Sequence, residues 1–189
     1  MVQRLARGPF KAEIRVRFPL ALPILLVLVL VFLAAVSSFA QKAEKYESPD
    51  GSLRAEVESV RKKPSRAPES KIEILSKEGK RVWIVKYTSS DGEHGFGVFK
   101  AAWTPDSQYF VYSVVSSGGH ELGRSPIFFY DRRVERVRSF DEEVGVVVDP
   151  DFSISPPDVV EATIRGNDGG QSKSVNIALS DLQGYRREK

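Results

Sequence analysis

The sequence predicts an all-β protein in which three antiparallel β-repeats form an open stack, preceded by one hydrophobic N-terminal helix. A turn signal containing Pro-Asp recurs three times in the 189 residues, and its aspartates, Asp50, Asp106 and Asp158, are 56 and 52 residues apart. A strand pattern follows each turn, and only the middle strand is apolar on both of its faces. Repeats of this length are typical of small β-units that must pack on one another to bury an apolar face.

The first 40 residues have the organisation of an export signal. Residues 1–17 carry five basic groups, and residues 18–41 follow as 24 residues without a charge. Small residues at Ser38 and Ala40 fit a signal cleavage between Ala40 and Gln41, so we expect a periplasmic or secreted protein. The alternative is an uncleaved signal anchor, because about 20 apolar residues span a bilayer. The chain would then contact the membrane through this segment alone, with its domain outside the cytoplasm.

The basic character of the chain belongs mostly to this leader. The first 40 residues hold five of the 28 basic residues and one of the 25 acidic residues, which leaves 23 basic and 24 acidic residues at positions 41–189. A nearly neutral domain has no overall electrostatic attraction for nucleic acid, so no nucleic-acid partner is expected. Cysteine is absent, which excludes disulfides, thiol catalysis and thiolate metal sites.

The first repeat, at about residues 47–88, is predicted to have one face in solvent. Ser48-Pro49-Asp50-Gly51 has the composition of a tight turn. In the strand that follows, Leu53–Val60, apolar residues alternate with charged ones, which is typical of a half-buried strand. Partner strands are expected at residues 71–75 and around Arg81-Val82-Trp83.

The middle repeat, at about residues 98–140, is predicted to lie at the centre of the stack. Thr104-Pro105-Asp106-Ser107 repeats the turn, and residues 108–115 form an apolar strand. Its apolar residues are Tyr109, Val111 and Val115 on one face and Phe110, Tyr112 and Val114 on the other. A strand of this kind must be covered on both sides. A strand that ends at Trp103 is expected before the turn, and partner strands are expected at residues 127–130 and 136–138.

The third repeat, at about residues 149–187, begins around Pro156-Pro157-Asp158. Residues 159–164 and 175–179 alternate between apolar and polar side chains, so one face of this unit is also expected in solvent. Tyr185-Arg186-Arg187 stands where the first two repeats have an Arg-Val strand. The three units favour a middle sheet that is covered on both faces by two outer sheets, each of which exposes one face to solvent. A single β-sandwich made from the same strands is the alternative.

The middle repeat resembles a blade of the TolB-type, WD-like β-propeller repeats. The resemblance is carried by Ala102-Trp103, Thr104-Pro105-Asp106-Ser107, Tyr109-Phe110-Val111-Tyr112-Ser113, Ile127-Phe128-Phe129-Tyr130-Asp131 and Arg136-Val137. It covers about residues 47–140, extends weakly to residue 182 and implies propeller-blade-like units, which serve enzymes, ligand binders and assembly factors alike. Propellers close with four or more blades, whereas three units fit here, so an open stack is expected. The whole chain is similar to small exported bacterial proteins with no assigned activity.

The alternating direction of the strands sorts the connections into two ends of the domain. What we call the turn end holds the three Pro-Asp turns and residues 131–133. What we call the loop end holds the longer polar connections at residues 61–70, 89–97, 116–125 and 165–173. Binding sites tend to lie on long loops held by a rigid scaffold, so the loop end is the predicted functional surface.

Both histidines fall at the loop end, in Asp91-Gly92-Glu93-His94-Gly95 and Gly118-Gly119-His120-Glu121. Glycine lets a backbone approach a partner closely or adopt a positive φ, and we therefore predict Glu93, His94, His120 and Glu121 as binding residues. Adjacent strands lie about 4.8 Å apart, so long side chains from the two loops can meet. A metal site made of His94, His120 and Asp91, or another nearby carboxylate, is the alternative.

The sequence contains no assembled catalytic motif. Ser116 and Ser117 lie near His120, but the G-x-S-x-G nucleophile elbow is missing, and the acidic run Asp141-Glu142-Glu143 is expected to be a solvated turn. The sequence therefore favours an exported, non-catalytic binding module for a protein, peptide or glycan, with no cofactor predicted. The alternative is a metal-binding protein or a metal-dependent enzyme centred on His94 and His120.

Overall fold

The computed structural model describes residues 43–61, 67–121, 123–166 and 170–184, all within the compact unit Gln41–Lys189. The predicted N-terminal helix, the cleavage position between Ala40 and Gln41 and the segment Tyr185-Arg186-Arg187 lie outside the described residues. Across the described ranges, no helix has the length and apolar character needed to cross a bilayer.

The described secondary structure is almost entirely β, in three antiparallel sheets, which confirms the predicted all-β class. The first sheet has the order β1-β2-β3-β4, with β1 at Glu44–Glu47, β2 at Leu53–Val60, β3 at Glu69–Ser76 and β4 at Arg81–Lys86. The second sheet has the order β5-β6-β7-β8, with β5 at Phe96–Trp103, β6 at Tyr109–Ser116, β7 at Ile127–Asp131 and β8 at Arg136–Ser139. The third sheet has the order β9-β10-β11, with β9 at Val147–Ser155, β10 at Val159–Ile164 and β11 at Lys173–Ala178. One short helix, α1 at Asp141–Val144, precedes β9, and a 3₁₀ turn at Asp181–Gly184 follows β11.

The first sheet is buried on one face only. Successive side chains of a strand point to opposite faces, and in β2 the buried set is Leu53, Ala55 and Val57. The opposite face of this sheet carries ion pairs: Arg54 Nε lies 2.9 Å from Glu56 Oε1, and Lys71 Nζ lies 2.5 Å from Glu58 Oε2. The charged side chains therefore lie on the outer face of this sheet, as the alternation in the sequence predicts.

The second sheet is buried on both faces. One apolar cluster joins Leu53, Ala55, Val57, Ile72 and Ile74 of the first sheet to Ala101, Trp103, Phe110, Tyr112, Val114 and Tyr130 of the second. Another joins Tyr109, Val111, Ile127 and Phe129 of the second sheet to Val147, Phe152, Val160, Ala162 and Ile164 of the third, together with Phe140 and Leu179. The middle sheet therefore lies between two outer sheets that each expose one face to solvent. This open stack, and not the single sandwich, is the architecture of the described residues.

The turns before β2 and β6 have the same hydrogen bonds. Ser48 N–H donates to Leu53 O at 2.9 Å, and Leu53 N–H donates back to Ser48 Oγ at 3.0 Å. Thr104 and Tyr109 exchange the same two bonds, at 2.9 and 3.1 Å. The two hydroxyls lie 2.7 and 2.6 Å from their turn aspartates. The first two repeats are therefore equivalent in their backbone as well as in their sequence pattern.

This equivalence relates the faces of the first and second sheets. Leu53 and Tyr109 occupy the same position of the turn motif, so they mark the same face of their sheets. Leu53 packs toward the second sheet, whereas Tyr109 packs toward the third. The first and second sheets therefore use the same face to pack on the sheet that follows each of them.

The third turn precedes β10 as expected, but it does not repeat the hydrogen bonds of the first two turns. Asp158 Oδ2 accepts from Ser180 N–H at 2.8 Å, and Asp158 O accepts from Leu179 N–H at 3.1 Å. These donors come from the chain after β11. The motif cannot form because Pro156, two residues before the aspartate, has neither a hydroxyl nor an N–H.

The acidic run also departs from expectation at its first residue. Asp141 is 8% exposed, and its carboxylate accepts from Ile127 N–H at 3.0 Å and Val147 N–H at 3.3 Å. Its burial corrects the prediction of a solvated turn, although Glu142 and Glu143 are exposed as expected. Asp141 begins α1 and joins the start of β7 to the start of β9. Two further strands, β1 and β9, extend the repeats beyond the predicted pattern.

Candidate functional site

The structure places the two ends of the first two sheets as strand direction predicts. At the turn end, Asp50 N–H donates to Ser107 Oγ at 3.0 Å, so the first two turns touch. At the loop end lie a first loop, residues 87–95 between β4 and β5, and a second loop, residues 117–126 between β6 and β7, of which residue 122 is not described. Ser117 N–H donates to Gly95 O at 2.9 Å. The two loops are therefore joined directly.

A buried carboxylate at the start of β3 holds both loops. Glu69 is 1% exposed, and it accepts from Ser89 N–H (2.8 Å), Ser89 Oγ (2.5 Å), Gly95 N–H (2.9 Å) and Ser117 Oγ (3.2 Å). Burial alone would raise the pKa of Glu69, but the hydrogen bonds from Ser89, Gly95 and Ser117 hold it below its ordinary value. Glu69 is therefore an ionised anchor at neutral pH.

Ser89 and Asp91 shape the tip of the first loop. Gly92 N–H and His94 N–H donate to Ser89 Oγ at 3.0 and 3.3 Å, and Glu93 N–H donates to Asp91 Oδ1 at 3.0 Å. The Glu93 N–H, then the Ser89 hydroxyl and the His94 ring, hold the pKa of Asp91 well below its usual range. Hydrogen bonds within the loop thus fix the backbone that carries Glu93 and His94.

The two histidines meet at the surface of the loop end. The ring centroids of His94 and His120 lie 4.8 Å apart, and the ring planes differ by 2°. Both residues are exposed, and the His94 side chain retains 62% of its accessible surface. His94 Nδ1 lies 2.5 Å from Asp91 Oδ2, which orients this ring. The structure therefore brings together two predicted binding residues that are 26 positions apart in the chain.

The far side of the second loop is held by another buried carboxylate, that of Asp141. Glu121 Oε2 lies 4.0 Å from Arg124 Nη1, and Arg124 Nε lies 3.7 Å from Asp141 Oδ2. Burial raises the pKa of Asp141 above its ordinary value even though two backbone N–H groups and Arg124 oppose the shift. The second loop is thus anchored by Glu69 near its start and by Asp141 near its end, with His120 and Glu121 exposed between them.

The glycines of the two loops are needed for internal contacts. A Cβ on Gly95 would lie 2.2 Å from Tyr87 O, and a Cβ on Gly118 would lie 2.1 Å from Glu93 O. Gly119 has a φ of 70°, in the left-handed region that favours glycine. Gly118 is therefore required by the approach of the two loops to each other, and Gly95 by its own approach to Tyr87 and Glu69.

In their present arrangement, the stacked rings do not converge on one point. Parallel rings direct their nitrogens within separate planes and not at one shared point, and Asp91 engages His94 Nδ1. Among the residues that the structure describes, no group of three or more His, Asp or Glu side chains is arranged to hold a metal ion. The surface offers two stacked imidazoles, carboxylates and the Arg124 guanidinium. These groups can form hydrogen bonds and ion pairs with a polar partner.

The sequence pattern did not identify Glu69 as a candidate functional residue. Its neighbours two and four positions on, Lys71 and Glu73, lie on the outer face of β3, so the period-two pattern also assigns Glu69 to solvent. Glu69 is buried because the two loops fold over this end of the strand. A local pattern contains no signal for such coverage, since the loops come from residues about 20 to 50 positions further along the chain.

The turn end presents cations that are already paired. Arg132 Nη1 lies 2.6 Å from Asp50 Oδ2, and Arg133 Nη2 lies 3.0 Å from Asp131 Oδ2. Arg133 also donates to the Tyr109 hydroxyl. The Ser48 hydroxyl, followed by Arg132, holds the pKa of Asp50 well below its usual range. This end is therefore a closed network of short turns and ion pairs.

Comparison with known proteins assigns no family. No family model matches the chain, and no curated protein matches it. Among solved structures, hydrazine synthase of Kuenenia stuttgartiensis is similar at a TM-score of 0.40 and 13% sequence identity, over 65% of this chain and 36% of that one. The chain thus spans about a third of the length of that structure, and the likeness carries no argument about function.

Proposed function

We propose that the domain is an exported, non-catalytic β-repeat module that binds a protein, peptide or glycan through its loop end. The observation that carries this proposal is the joining of the first and second loops into one surface around the stacked imidazoles. Four predicted binding residues belong to that surface: Glu93, His94, His120 and Glu121. Side chains on loops that a rigid scaffold holds in place are a common arrangement for binding.

The scaffold beneath the loops supports the proposal. The middle sheet is buried on both faces, and both loops leave from strands that contribute to the apolar clusters. The turn motif shared by the first two sheets, and their packing through the same face, support the resemblance to TolB-type, WD-like blades. Such blades serve binding and catalysis alike, so the surface residues, and not the fold, direct the choice of function.

The test is to replace Glu93, His94, His120 and Glu121 one at a time by alanine. Capture of a partner from the exported fraction is expected to fall, because the surface consists of the exposed side chains of His94, His120 and Glu121 and the half-buried Glu93 beside them. The free energy of unfolding is expected to change by less than about 0.5 kcal/mol, as is usual for surface substitutions. Pull-down followed by titration of the recovered partner measures the first effect, and urea denaturation measures the second.

The control lies at the opposite end of the domain. The double variant Arg132→Ala with Arg133→Ala removes the half-buried Arg132 and the exposed Arg133 at the turn end and is expected to leave partner capture intact. If this double variant abolished capture while the four loop substitutions had no effect, the functional surface would lie at the turn end.

The second candidate is a metal-binding protein or a metal-dependent enzyme centred on His94 and His120. The 4.8 Å separation of the two rings favours it, whereas their parallel planes oppose it. Elemental analysis of protein purified without a histidine tag separates the two candidates. A stoichiometric transition metal that disappears in the His94→Ala/His120→Ala double variant would replace the binding-module proposal.

Export is tested separately from binding. A reporter that is active only in the cytoplasm, fused after Lys189, is expected to be silent, and mass spectrometry of the mature chain is expected to find Gln41 at its start. An intact Met1 terminus in the membrane fraction would favour the signal anchor, whereas an active reporter would contradict export.

A further inference from the structure

We propose that Glu69 is a releasable clamp at the loop end, whose negative charge holds the first and second loops in one arrangement and whose neutralisation frees both. As a regulation of binding, this inference rests on the proposed function, because it assumes that these loops contact the partner. The clamp itself is a property of the two loops and can be measured without any partner.

The hydrogen bonds of Glu69 are placed to hold both loops. Ser89 and Gly95 lie on either side of the segment that carries Asp91 and His94, and both donate to the carboxylate. Glu69 therefore closes the base of the first loop. Ser117 donates to the same Oε1 atom from the second loop, three residues before His120. One carboxylate thus positions both imidazoles without contacting either ring.

The packing around the carboxylate leaves little room for a substitute. A Cβ on Gly95 would lie 2.5 Å from Glu69 Cδ and 2.2 Å from Tyr87 O. Buried N–H groups that lose their acceptor in so tight a site keep the full cost of desolvation. When Glu69 no longer accepts from Ser89 and Gly95, the backbone N–H groups of the first loop regain partners only by moving into water.

The donors to Glu69 are uncharged, so its own charge decides the strength of the clamp. The charged and titratable groups on the surrounding elements are Arg61 after β2, Lys71 on β3, Tyr87, Asp91, Glu93 and His94 in the first loop, and His120, Glu121 and Arg124 in the second. Of these, Asp91 is coupled most directly, since Ser89 Oγ lies 2.9 Å from Asp91 Oδ1 and 2.5 Å from Glu69 Oε1. One hydroxyl hydrogen serves one acceptor at a time, so losing Glu69 as acceptor would turn Ser89 toward Asp91.

The sign of the pH effect follows from the direction in which folding moves the pKa. The hydrogen bonds hold the pKa of Glu69 below its ordinary value in the folded protein. The stabilising contribution of the clamp is therefore complete above the unfolded-state pKa of about 4.3, and it is lost as the pH falls through the lower folded-state pKa. Acidification through the lowered folded-state pKa of Glu69 is thus expected to release the loops.

Hydrogen–deuterium exchange of the protein purified from the exported fraction tests the clamp. In Glu69→Gln at pH 7, protection factors of both loops are expected to fall about tenfold or more, as the loss of a charged hydrogen-bond acceptor implies, while those of β6 stay unchanged. In the wild type, both loops are expected to lose protection together on acidification, and Glu69→Gln is expected to show no further step. Ser117→Ala is expected to release the second loop alone.

Glu73→Gln is the matched control, because Glu73 lies on the same strand with its carboxylate in the outer ion-pair network. This variant is expected to leave both loops protected.

If Glu69→Gln fails to fold, Ser89→Ala and Ser117→Ala combined remove two donors and are expected to lower protection in both loops. The proposal is overturned if Glu69→Gln, or Ser89→Ala combined with Ser117→Ala, leaves both loops protected. It is also overturned if acidification releases only one of the two loops in the wild type. Loop release with unchanged partner capture would instead refute the binding assignment alone.

Discussion

At the residue scale, the space around Gly95 limits what the loop end tolerates. Gly95→Ala is expected to lower the free energy of unfolding by about 1–3 kcal/mol, the usual cost of overpacking a closely packed site. The added Cβ would meet a backbone oxygen at 2.2 Å and the Glu69 carboxylate at 2.5 Å, and four hydrogen bonds hold that carboxylate in place. Urea denaturation of the variant measures the loss.

Gly170→Ala is the control for this prediction. Among the described residues outside its immediate chain neighbours, none places a heavy atom within 4 Å of the Cβ position at Gly170, and its φ is outside the left-handed region. The substitution is therefore expected to change stability by less than about 0.5 kcal/mol. Equal losses at Gly95 and Gly170 would show that the close approach of Gly95 to Tyr87 and Glu69 is not what requires glycine.

At the scale of elements, the turns before β2 and β6 show how two repeats whose strands differ in polarity share one turn conformation. Gly51 and Ser107 take the same motif position with φ of 66° and 62°. Glycine is favoured at such an angle, but the Ser107 hydroxyl accepts from Asp50 N–H at 3.0 Å. The serine therefore links the two turns, and this contact joins the first two stacked sheets at the turn end.

Thr104→Val is expected to destabilise the domain by about 1–3 kcal/mol, because it leaves a buried N–H without its acceptor. Thr104 is fully buried, and its Oγ1 accepts from Tyr109 N–H at 3.1 Å. Valine keeps the shape of threonine but cannot accept this bond. Thermal or urea unfolding of the variant gives the change in stability.

Ser52→Ala provides the comparison, because the Ser52 hydroxyl donates to Asp50 Oδ1 in an exposed turn. We expect a change of less than about 0.5 kcal/mol. A Thr104→Val variant that unfolds at the same urea concentration as Ser52→Ala would mean that the shared hydroxyl motif does not stabilise the turns.

At the scale of the whole molecule, stability depends on the middle sheet, which supplies side chains to both apolar clusters. Phe110→Ala is expected to cost about 3–5 kcal/mol, as is typical of large-to-small changes in a core. Phe110 is fully buried, and its ring centroid lies 5.3 Å from that of Trp103 and 5.8 Å from that of Tyr46. Denaturant unfolding monitored by tryptophan fluorescence measures the effect.

Glu56→Ala on the outer face of the first sheet is the matched probe. Its carboxylate pairs with Arg54 and Lys45 at the surface, where ion pairs contribute little, so a loss of less than about 0.5 kcal/mol is expected. Were Glu56→Ala and Phe110→Ala to shift the unfolding midpoint equally, the middle sheet would not be the main source of stability.

The sequence by itself determined the strands that form the stack and which sheet is central. The alternation in Leu53–Val60 and Val159–Ile164 and its absence in residues 108–115 are local patterns, because side-chain direction in a strand changes with every residue. The sequence also indicated the loop end and the four residues predicted to bind there. Export and binding stay predictions.

Only the tertiary structure decided what happens where loops fold over strand ends. It buried Glu69 and Asp141, which the local pattern assigns to solvent, and it stacked His94 on His120 across two loops. It also separated the third turn from the other two through the partners of Asp158. Burial of a polar group depends on donors that arrive from distant parts of the chain, and a periodic pattern records only a residue's own neighbours.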